Sequence, residues 1–165
     1  MIEVVKIPTA RIPILIGKNK AVKRTIENKL DVKIVIDEDV QIEGEALNVM
    51  DAKNIILAIG RGFSPENAIR LMDEENTIAI IPISKNEKDL KRLKSRIIGE
   101  GGRARLNIEN LTGTKMSIYG KTVSVIGKPE DVENVVAVIE MFIKGFSHRA
   151  VYAFLEKERT RKKYE

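Results

Sequence analysis

Runs of β-branched residues alternate along the chain with segments whose apolar residues recur every three or four positions, and this alternation predicts strands and helices. The second half predicts a strand, two helices separated by a glycine-rich turn, a hairpin of two short strands and a longer helix, at 77–83, 87–97, 104–111, 115–118, 122–126 and from Pro129 onward. The first half predicts the same order, βααββα, at 4–7, 9–16, 21–30, 32–36, 40–43 and 46–59. A further helix is predicted after each copy, beginning at Ser64 and at Ser147.

The order of elements repeats because the sequence itself repeats. Ile16-Gly17 aligns with Ile98-Gly99, and Ile26-Glu27-Asn28 with Ile108-Glu109-Asn110, both at an offset of 82 residues. Such a period indicates two copies of one small domain rather than a solenoid, whose units have about 20 to 50 residues. We therefore expect domains at 1–75 and 76–165, each an α+β unit with a three-stranded sheet packed on helices.

The most informative segment is the turn between the first two helices of the second copy, Ile97-Ile98-Gly99-Glu100-Gly101-Gly102. Glycines at this spacing let backbone N–H groups and a helix N-terminus approach a phosphate that side chains would otherwise block. This turn, within the order βααββα, resembles the KH domain of the eukaryotic type (type I). The resemblance implies a clamp for about four nucleotides, whose bases turn onto an apolar groove beside the loop.

The resemblance makes the second copy the expected RNA-binding domain. Its expected site comprises the turn, the adjacent helix ends and the first strand of the hairpin: Arg96, Ile97, Ile98, Gly99, Glu100, Gly101, Gly102, Arg103, Arg105, Leu106, Lys115, Met116, Ser117 and Ile118. Arg103 and Arg105 are expected to supply the positive charge. Candidates to line the groove are the aliphatic residues Ile97, Ile98, Leu106, Ile108, Met116 and Ile118. The alternative is that half or more of them belong to the core. Glu100 departs from the basic or neutral residue usual in this family, and we expect it to weaken non-specific affinity for phosphate.

The corresponding turn of the first copy is Gly17-Lys18-Asn19-Lys20, with a lysine where the family pattern has its second glycine. We expect the restricted backbone and the side chain of Lys20 to crowd a phosphate, which would make this copy degenerate. Lys23 and Arg24 extend the basic cluster around Gly17, Lys18, Asn19 and Lys20. This cluster is interpreted as a secondary RNA site, a protein-binding site or a solvated helix face.

The glycines of the second turn also match a dinucleotide-binding fingerprint, Gly-x-Gly-x-x-Ala, over 99–104. In dinucleotide-binding proteins that motif follows a buried strand, and an acidic residue about 20 positions later binds the ribose. Here a charged helix precedes the glycines, and 119–126 contains no acidic residue. The fingerprint is therefore rejected.

Composition narrows the classes of function further. The chain has no cysteine and one histidine, which excludes disulfides, thiol nucleophiles, zinc fingers and iron–sulfur clusters. The acidic cluster Asp37-Glu38-Asp39 falls in a hairpin turn, so we expect no catalytic residues, no metal, no cofactor and no enzymatic activity. The longest uncharged run, 76–84, is far shorter than the roughly 20 residues that cross a bilayer, and the N-terminus does not resemble a signal peptide. We expect a cytoplasmic protein without membrane contact.

The distribution of charge is more informative than its sum, which is +5 from 29 Lys and Arg and 24 Asp and Glu. Residues 85–105 contain eight basic and three acidic residues, and residues 17–33 contain six and two. The segment 37–75 contains ten acidic and three basic residues. Both positive segments include a glycine turn, which is the distribution expected for local contacts with phosphates.

Two KH copies at this spacing, an imperfect first turn, an intact second turn and a final helix that begins Phe-Ser-His-Arg-Ala at 146–150 resemble the archaeal and eukaryotic Dim-two or Partner-of-Nob-one family of ribosome-assembly proteins. The long extension of eukaryotic members is missing, so the chain looks archaeal. The resemblance implies binding of single-stranded small-subunit rRNA near its 3′ end during pre-16S processing, as an adaptor or chaperone. Its implied protein partners are the maturation endonuclease and other assembly or translation factors. The alternative is a KH-fold adaptor that binds proteins and not RNA.

Overall fold

The computed structural model describes residues 1–164 and contains the order βααββα twice. The first copy consists of β1 (Ile2–Val5), α1 (Ile12–Ile16), α2 (Ala21–Leu30), β2 (Lys33–Ile36), β3 (Val40–Glu43) and α3 (Ala46–Gly60), followed by the short α4 (Pro65–Ala68). The second consists of β4 (Thr77–Pro82), α5 (Glu87–Ile98), α6 (Arg103–Thr112), β5 (Lys115–Tyr119), β6 (Thr122–Gly127) and α7 (Pro129–Ile143), followed by α8 (His148–Lys163). The predicted fold class, two α+β domains with three-stranded sheets, is confirmed. The described chain forms two compact units, Met1–Glu74 and the residues from Glu75 onward.

The sheet of the first domain has the order β1-β3-β2, and both pairs of strands are antiparallel. Its inner face buries one residue in every two, as a strand with one packed face requires. The buried strand residues are Val5, Ile34, Val40 and Ile42. Helix α3 packs on β1 and β3 and buries an almost wholly apolar surface, including Val49, Ala52, Ile55, Ile56 and Ile59.

The sheet of the second domain has the equivalent order, β4-β6-β5, again antiparallel throughout. Helix α7 packs on β4 and β6 and also contacts α5 and α6. Its buried stripe is Val132, Val135, Val138, Ile139 and Phe142. The core of this domain therefore lies between the sheet and three helices, and it fixes where the ends of α5 and α6 meet.

Both additional helices begin where they are predicted. The Ser64 hydroxyl accepts a hydrogen bond from the Asn67 N–H, and the Ser147 hydroxyl accepts one from the Ala150 N–H, so each serine is an N-cap. The helices differ in length: α4 has four residues and continues as a 3₁₀ turn, whereas α8 has 16. Helix α8 packs on α6 and α7 and buries Val151 and Leu155. Within residues 1–164, no helix is long and apolar enough to span a membrane.

Two predicted element bounds in the first domain are wrong. Strand β1 lies at Ile2–Val5 rather than 4–7, because its partner β3 begins at Val40, which pairs with Val5. The helix predicted over 9–16 is a 3₁₀ turn, Thr9–Arg11, followed by α1. Pro13 explains this break, since it has no N–H to donate to the carbonyl four residues earlier.

Candidate nucleic-acid interface

The turn between α5 and α6 depends on its first glycine for packing and leaves the other two open. Gly99 has φ 77° and ψ 173°, a conformation almost restricted to glycine, and a Cβ there would lie 2.6 Å from the Ala104 Cβ. Gly101 and Gly102 have φ 60° and 79°, but no atom beyond the adjacent residues lies within 4 Å of the position a Cβ would take. The outer surface of this turn is therefore accessible to a ligand.

The N-terminus of α6 lies at this open surface. Its N-cap, Gly102, provides no side-chain acceptor, so no side chain caps the first N–H groups of the helix. The N-terminus of α5 is capped instead, since Asn86 Oδ1 accepts from the N–H groups of Lys88 and Asp89. Uncapped N–H groups and the positive end of the helix dipole favour an anion at the second turn.

The six candidate lining residues near the second turn divide between core and surface. Ile97 and Ile108 are fully buried and Met116 is 4% exposed, because these side chains belong to the core between the sheet and helices α5 to α7. Leu106 is 48% exposed, and Ile98 and Ile118 are half-buried. Those last three, and not the core residues, can offer an apolar surface to bases.

Arg105 is paired within the domain rather than free to supply charge to a phosphate. Its guanidinium Nη1 donates to Glu109 Oε1 at 3.1 Å, and Glu109 Oε2 accepts from the Met116 N–H at 2.8 Å. Since Glu109 is buried, its carboxylate satisfies a strand N–H at the wall of the groove and is neutralised by Arg105. Of the two predicted cations, only Arg103 is exposed and without an ion pair among the described residues.

Sequence reasoning missed Glu109, although the signal was present. Glu27 is the equivalent residue at the repeat offset, and it makes the same contacts: Oε2 accepts from the Ile34 N–H at 2.9 Å and Oε1 from Lys23 Nζ at 3.3 Å. We call each such arrangement of glutamate, cation and strand N–H a brace. Recurrence of Ile-Glu-Asn in both copies marks the position, but the sequence alone does not show what the glutamate contacts.

Arg96 also makes its contacts within the second domain. Its Nη2 donates to the Phe146 carbonyl at 2.8 Å, and its own carbonyl lies 2.7 Å from His148 Nε2. The His148 ring packs edge-on against Phe142, with 5.4 Å between ring centres. These contacts tie the end of α5, just before the turn, to the junction of α7 and α8, so Arg96 positions the turn.

The turn of the first copy has the same backbone shape as the second. Gly17 has φ 75° and ψ 173°, and the two residues at the positions of Gly101 and Gly102 are also left-handed: Asn19 with φ 55° and Lys20 with φ 62°. The expectation that Lys20 is restricted from this conformation is therefore wrong. A Cβ at Gly17 would lie 2.5 Å from Val22 Cγ2, which is the counterpart of the clash at Gly99.

A groove of about 380 Å³ lies beside this first turn. Three lysines and aliphatic side chains line it: Lys20, Lys23, Lys33, Ile16, Val35 and Ile36. At the repeat offset these positions correspond to Gly102, Arg105, Lys115, Ile98, Ser117 and Ile118, nearly the predicted site of the second copy. The first copy therefore combines the turn shape of the second with a more basic and more apolar groove.

The remaining predicted residues are distributed around the two turns. Lys18 and Arg24 are exposed on the first, Glu100 is exposed in the second, and Lys115 and Ser117 are half-buried on β5. Within residues 1–164, no group of three or more His, Asp or Glu side chains is placed to hold a metal ion.

Comparisons with known proteins agree with this geometry. Residues 75–160 match the eukaryotic-type KH domain (KH-domain type I), and residues 2–58 match the KH domain. A KH domain-containing protein of Methanocaldococcus jannaschii is 44% identical over 168 aligned residues, which cover 96% of this chain and 74% of that protein.

Solved structures are similar over almost the whole chain. The crystal structure of Dim2p from Pyrococcus horikoshii OT3 is 42% identical with a TM-score of 0.90, and the match covers 95% of this chain and 99% of that one. A chain in the complex of a/eIF2alpha, aDim2p and rRNA from the same organism is 41% identical with a TM-score of 0.90, covering 98% and 95%. A protein of unknown function from Aeropyrum pernix is 32% identical with a TM-score of 0.94, covering 99% and 93%. The chain therefore belongs to the two-KH-domain family of Dim-two and Partner-of-Nob-one, and its KH domains are of the eukaryotic type.

Proposed function

We propose that this protein binds single-stranded RNA with both KH domains and acts in assembly of the small ribosomal subunit. The observation that carries the proposal is the recurrence of one turn shape, with an uncapped helix N-terminus, in both domains. A groove lies beside the first turn, and half-buried or exposed aliphatic side chains lie near the second. Backbone N–H groups at each turn hold a phosphate, and the aliphatic side chains of the groove contact bases.

The two sites attract RNA in different ways. In the first, Lys20 and Lys33 bring positive charge to the groove itself, so phosphate attraction dominates. In the second, Gly101 and Gly102 allow the closest approach of the RNA backbone, and Arg103 supplies charge beside them. Both modes are independent of aromatic stacking and therefore use aliphatic contacts to bases.

The relatives support an RNA of ribosomal origin, because the complex from Pyrococcus horikoshii contains rRNA together with a chain similar to this one. We place the binding near the 3′ end of small-subunit rRNA during pre-16S processing. The protein there is a non-catalytic adaptor or chaperone for the maturation endonuclease. The presence of a/eIF2alpha in the same complex supports a translation factor as a second protein partner.

The double variant Gly101→Asp/Gly102→Asp tests the second site. Carboxylates would occupy the space of a phosphate, and we expect affinity for an oligonucleotide from the 3′ end of small-subunit rRNA to fall by about tenfold or more, or about 1.4 kcal/mol. The matched control is Gly101→Asn/Gly102→Lys, which reproduces the residues of the first turn and should retain binding. Both positions have open space but a left-handed backbone, so urea denaturation should show both variants folded and less stable than wild type.

The variant Asn19→Asp/Lys20→Asp makes the corresponding test of the first site. If both RNA grooves are used, each double variant weakens binding and the two together abolish it. Unchanged affinity in the combined variant, with the fold intact, would reject RNA binding at the turns and favour the protein-binding adaptor. For wild type, the logarithm of affinity should fall with the logarithm of salt concentration by about 0.7 per phosphate contacted.

A further inference from the structure

The exposed face of α5 carries a line of positive side chains that leads to the second turn. Lys88, Lys91 and Arg92 are spaced at i, i+3 and i+4, so they lie on one face of the helix, and Gly99 continues that line at i+11. We call these three residues the α5 stripe. The opposite face of the helix buries Leu93 and Ile97, so the stripe faces away from the core.

No carboxylate neutralises the α5 stripe among the described residues. Glu87 and Asp89 lie in the first turn of α5, where they complement the helix dipole, and neither forms an ion pair with the stripe. At the basic end of α8, Arg161 pairs with Glu130 and Lys162 with Asp131, whereas Lys157, Arg159 and Lys163 form no ion pair among the described residues. The basic end of α8 is therefore partly neutralised within the domain, whereas the α5 stripe is not.

The fold does not require positive charge on this face. The equivalent helix of the first domain, α1, has the five residues Ile-Pro-Ile-Leu-Ile and carries no charge, although it leads into a turn of the same shape. At the repeat offset, only Lys88 of the stripe has a lysine as its counterpart, Lys6, which lies outside α1, so a helical stripe is present in the second domain only. Its charge pattern is complementary to a phosphate backbone and lacks the apolar residues that a protein partner would bury.

The α5 stripe extends the positive surface well beyond the second turn. At about 1.5 Å of rise per residue, Lys88 lies about 16 Å from Gly99 along the helix axis. A KH turn and groove hold about four nucleotides, so RNA that follows α5 away from the turn is additional to that segment.

We propose that the α5 stripe binds the phosphate backbone of the RNA strand that continues beyond the second groove. The inference rests on the proposed RNA-binding function and adds to it a site that contacts phosphates alone. Because lysine and arginine at these positions contact the backbone and not base edges, the added affinity is independent of the sequence of the extension.

The test compares full-length wild type with Lys88→Gln/Lys91→Gln/Arg92→Gln on three RNAs. The first is a core of about eight nucleotides from the 3′ end of small-subunit rRNA, four for each KH domain; the others add four uridines on its 5′ or its 3′ side. We expect wild type to bind one extended RNA at least about fivefold more tightly than the core. Its salt dependence should be steeper by about 0.7 for each added phosphate contact. The triple variant should bind the core as wild type does and lose the gain.

Two controls separate the possible failures. Four adenines in place of the uridines should give the same gain, and Lys157→Gln/Arg159→Gln/Lys163→Gln on α8 removes equal charge and should preserve it. No gain in wild type, or an equal loss in both triple variants, would overturn the role of the stripe while leaving the grooves intact. Failure of wild type to bind the core would overturn the proposed function itself, and the stripe with it.

Discussion

The turns of the two KH domains have the same backbone conformation but different chemistry. The first, Gly-Lys-Asn-Lys, carries two lysines and one glycine, and the second, Gly-Glu-Gly-Gly, carries three glycines and an acid. Their first glycines agree within 2° in φ and share a ψ of 173°. The shape is therefore not set by the number of glycines. It is set by the first glycine, against which the following helix packs. The later positions are left-handed with asparagine and lysine in the first turn and with glycine in the second.

This comparison divides the turn into a structural position and a chemical one. Gly17 and Gly99 have neighbours that leave no room for a Cβ, whereas Gly101 and Gly102 face open space. Substitution at the first position should therefore change the stability of the domain, and substitution at the later positions should change the affinity of the turn for phosphate.

The largest effect is expected for Gly99→Ala. The new Cβ would meet the Ala104 Cβ and adopt a conformation that L residues avoid, so we expect the second domain to lose about 4 kcal/mol of unfolding free energy. Gly101→Ala, which adds the same methyl group to open space, should cost about 1 kcal/mol for its left-handed backbone. Urea denaturation of the full chain measures both, and equal losses would contradict the division of the turn.

The next effect concerns the braces. Glu109→Ala would leave the Met116 N–H without its acceptor and Arg105 without its partner, and we expect a loss of about 3 kcal/mol. Glu27→Ala should cost about 1 kcal/mol, because the Glu27 side chain is 20% exposed and the Glu109 side chain 5%, so water replaces more of its contacts.

A conservative pair checks the physical origin of that difference. Glu109→Gln keeps an acceptor for the strand N–H and removes the charge, so it should recover about half of the loss. If Glu109→Gln is as unstable as Glu109→Ala, the ion pair and not the strand hydrogen bond fixes the groove wall. Thermal denaturation followed by circular dichroism distinguishes the two.

Much of the fold could be predicted from the sequence because the repeat supplies each element twice. Apolar residues at helical spacing and the glycine turn located α5 and α6 closely, and the offset of 82 transferred that order to the weaker first half. The errors fall where local pattern is uninformative. The bounds of β1 depend on its register with β3, and the break before α1 depends on one proline.

The candidate site was less predictable, since residue type does not show which partner a charged side chain has. Arg105 was expected to face RNA, but a carboxylate one helical turn away engages it. The backbone of Lys20 was expected to be restricted, but it adopts the left-handed conformation that glycine has in the second copy. Pairing and strain depend on tertiary packing, which a periodic pattern does not encode.

The smallest effect is expected for Lys20→Gly, and it separates stability from binding. Glycine removes the strain of a left-handed lysine, about 1 to 2 kcal/mol, but it adds about 0.5 to 1 kcal/mol of conformational entropy to the unfolded chain. The first domain should therefore gain about 0.5 to 1 kcal/mol of stability.

The same change removes a positive charge from the groove, so RNA affinity should fall and the salt dependence should flatten by up to about 0.7. Urea denaturation and salt-dependent binding of the same variant measure the two effects. If stability rises and RNA affinity is unchanged, Lys20 does not contribute to RNA binding. If stability rises while RNA affinity falls, the strained Lys20 contacts phosphate.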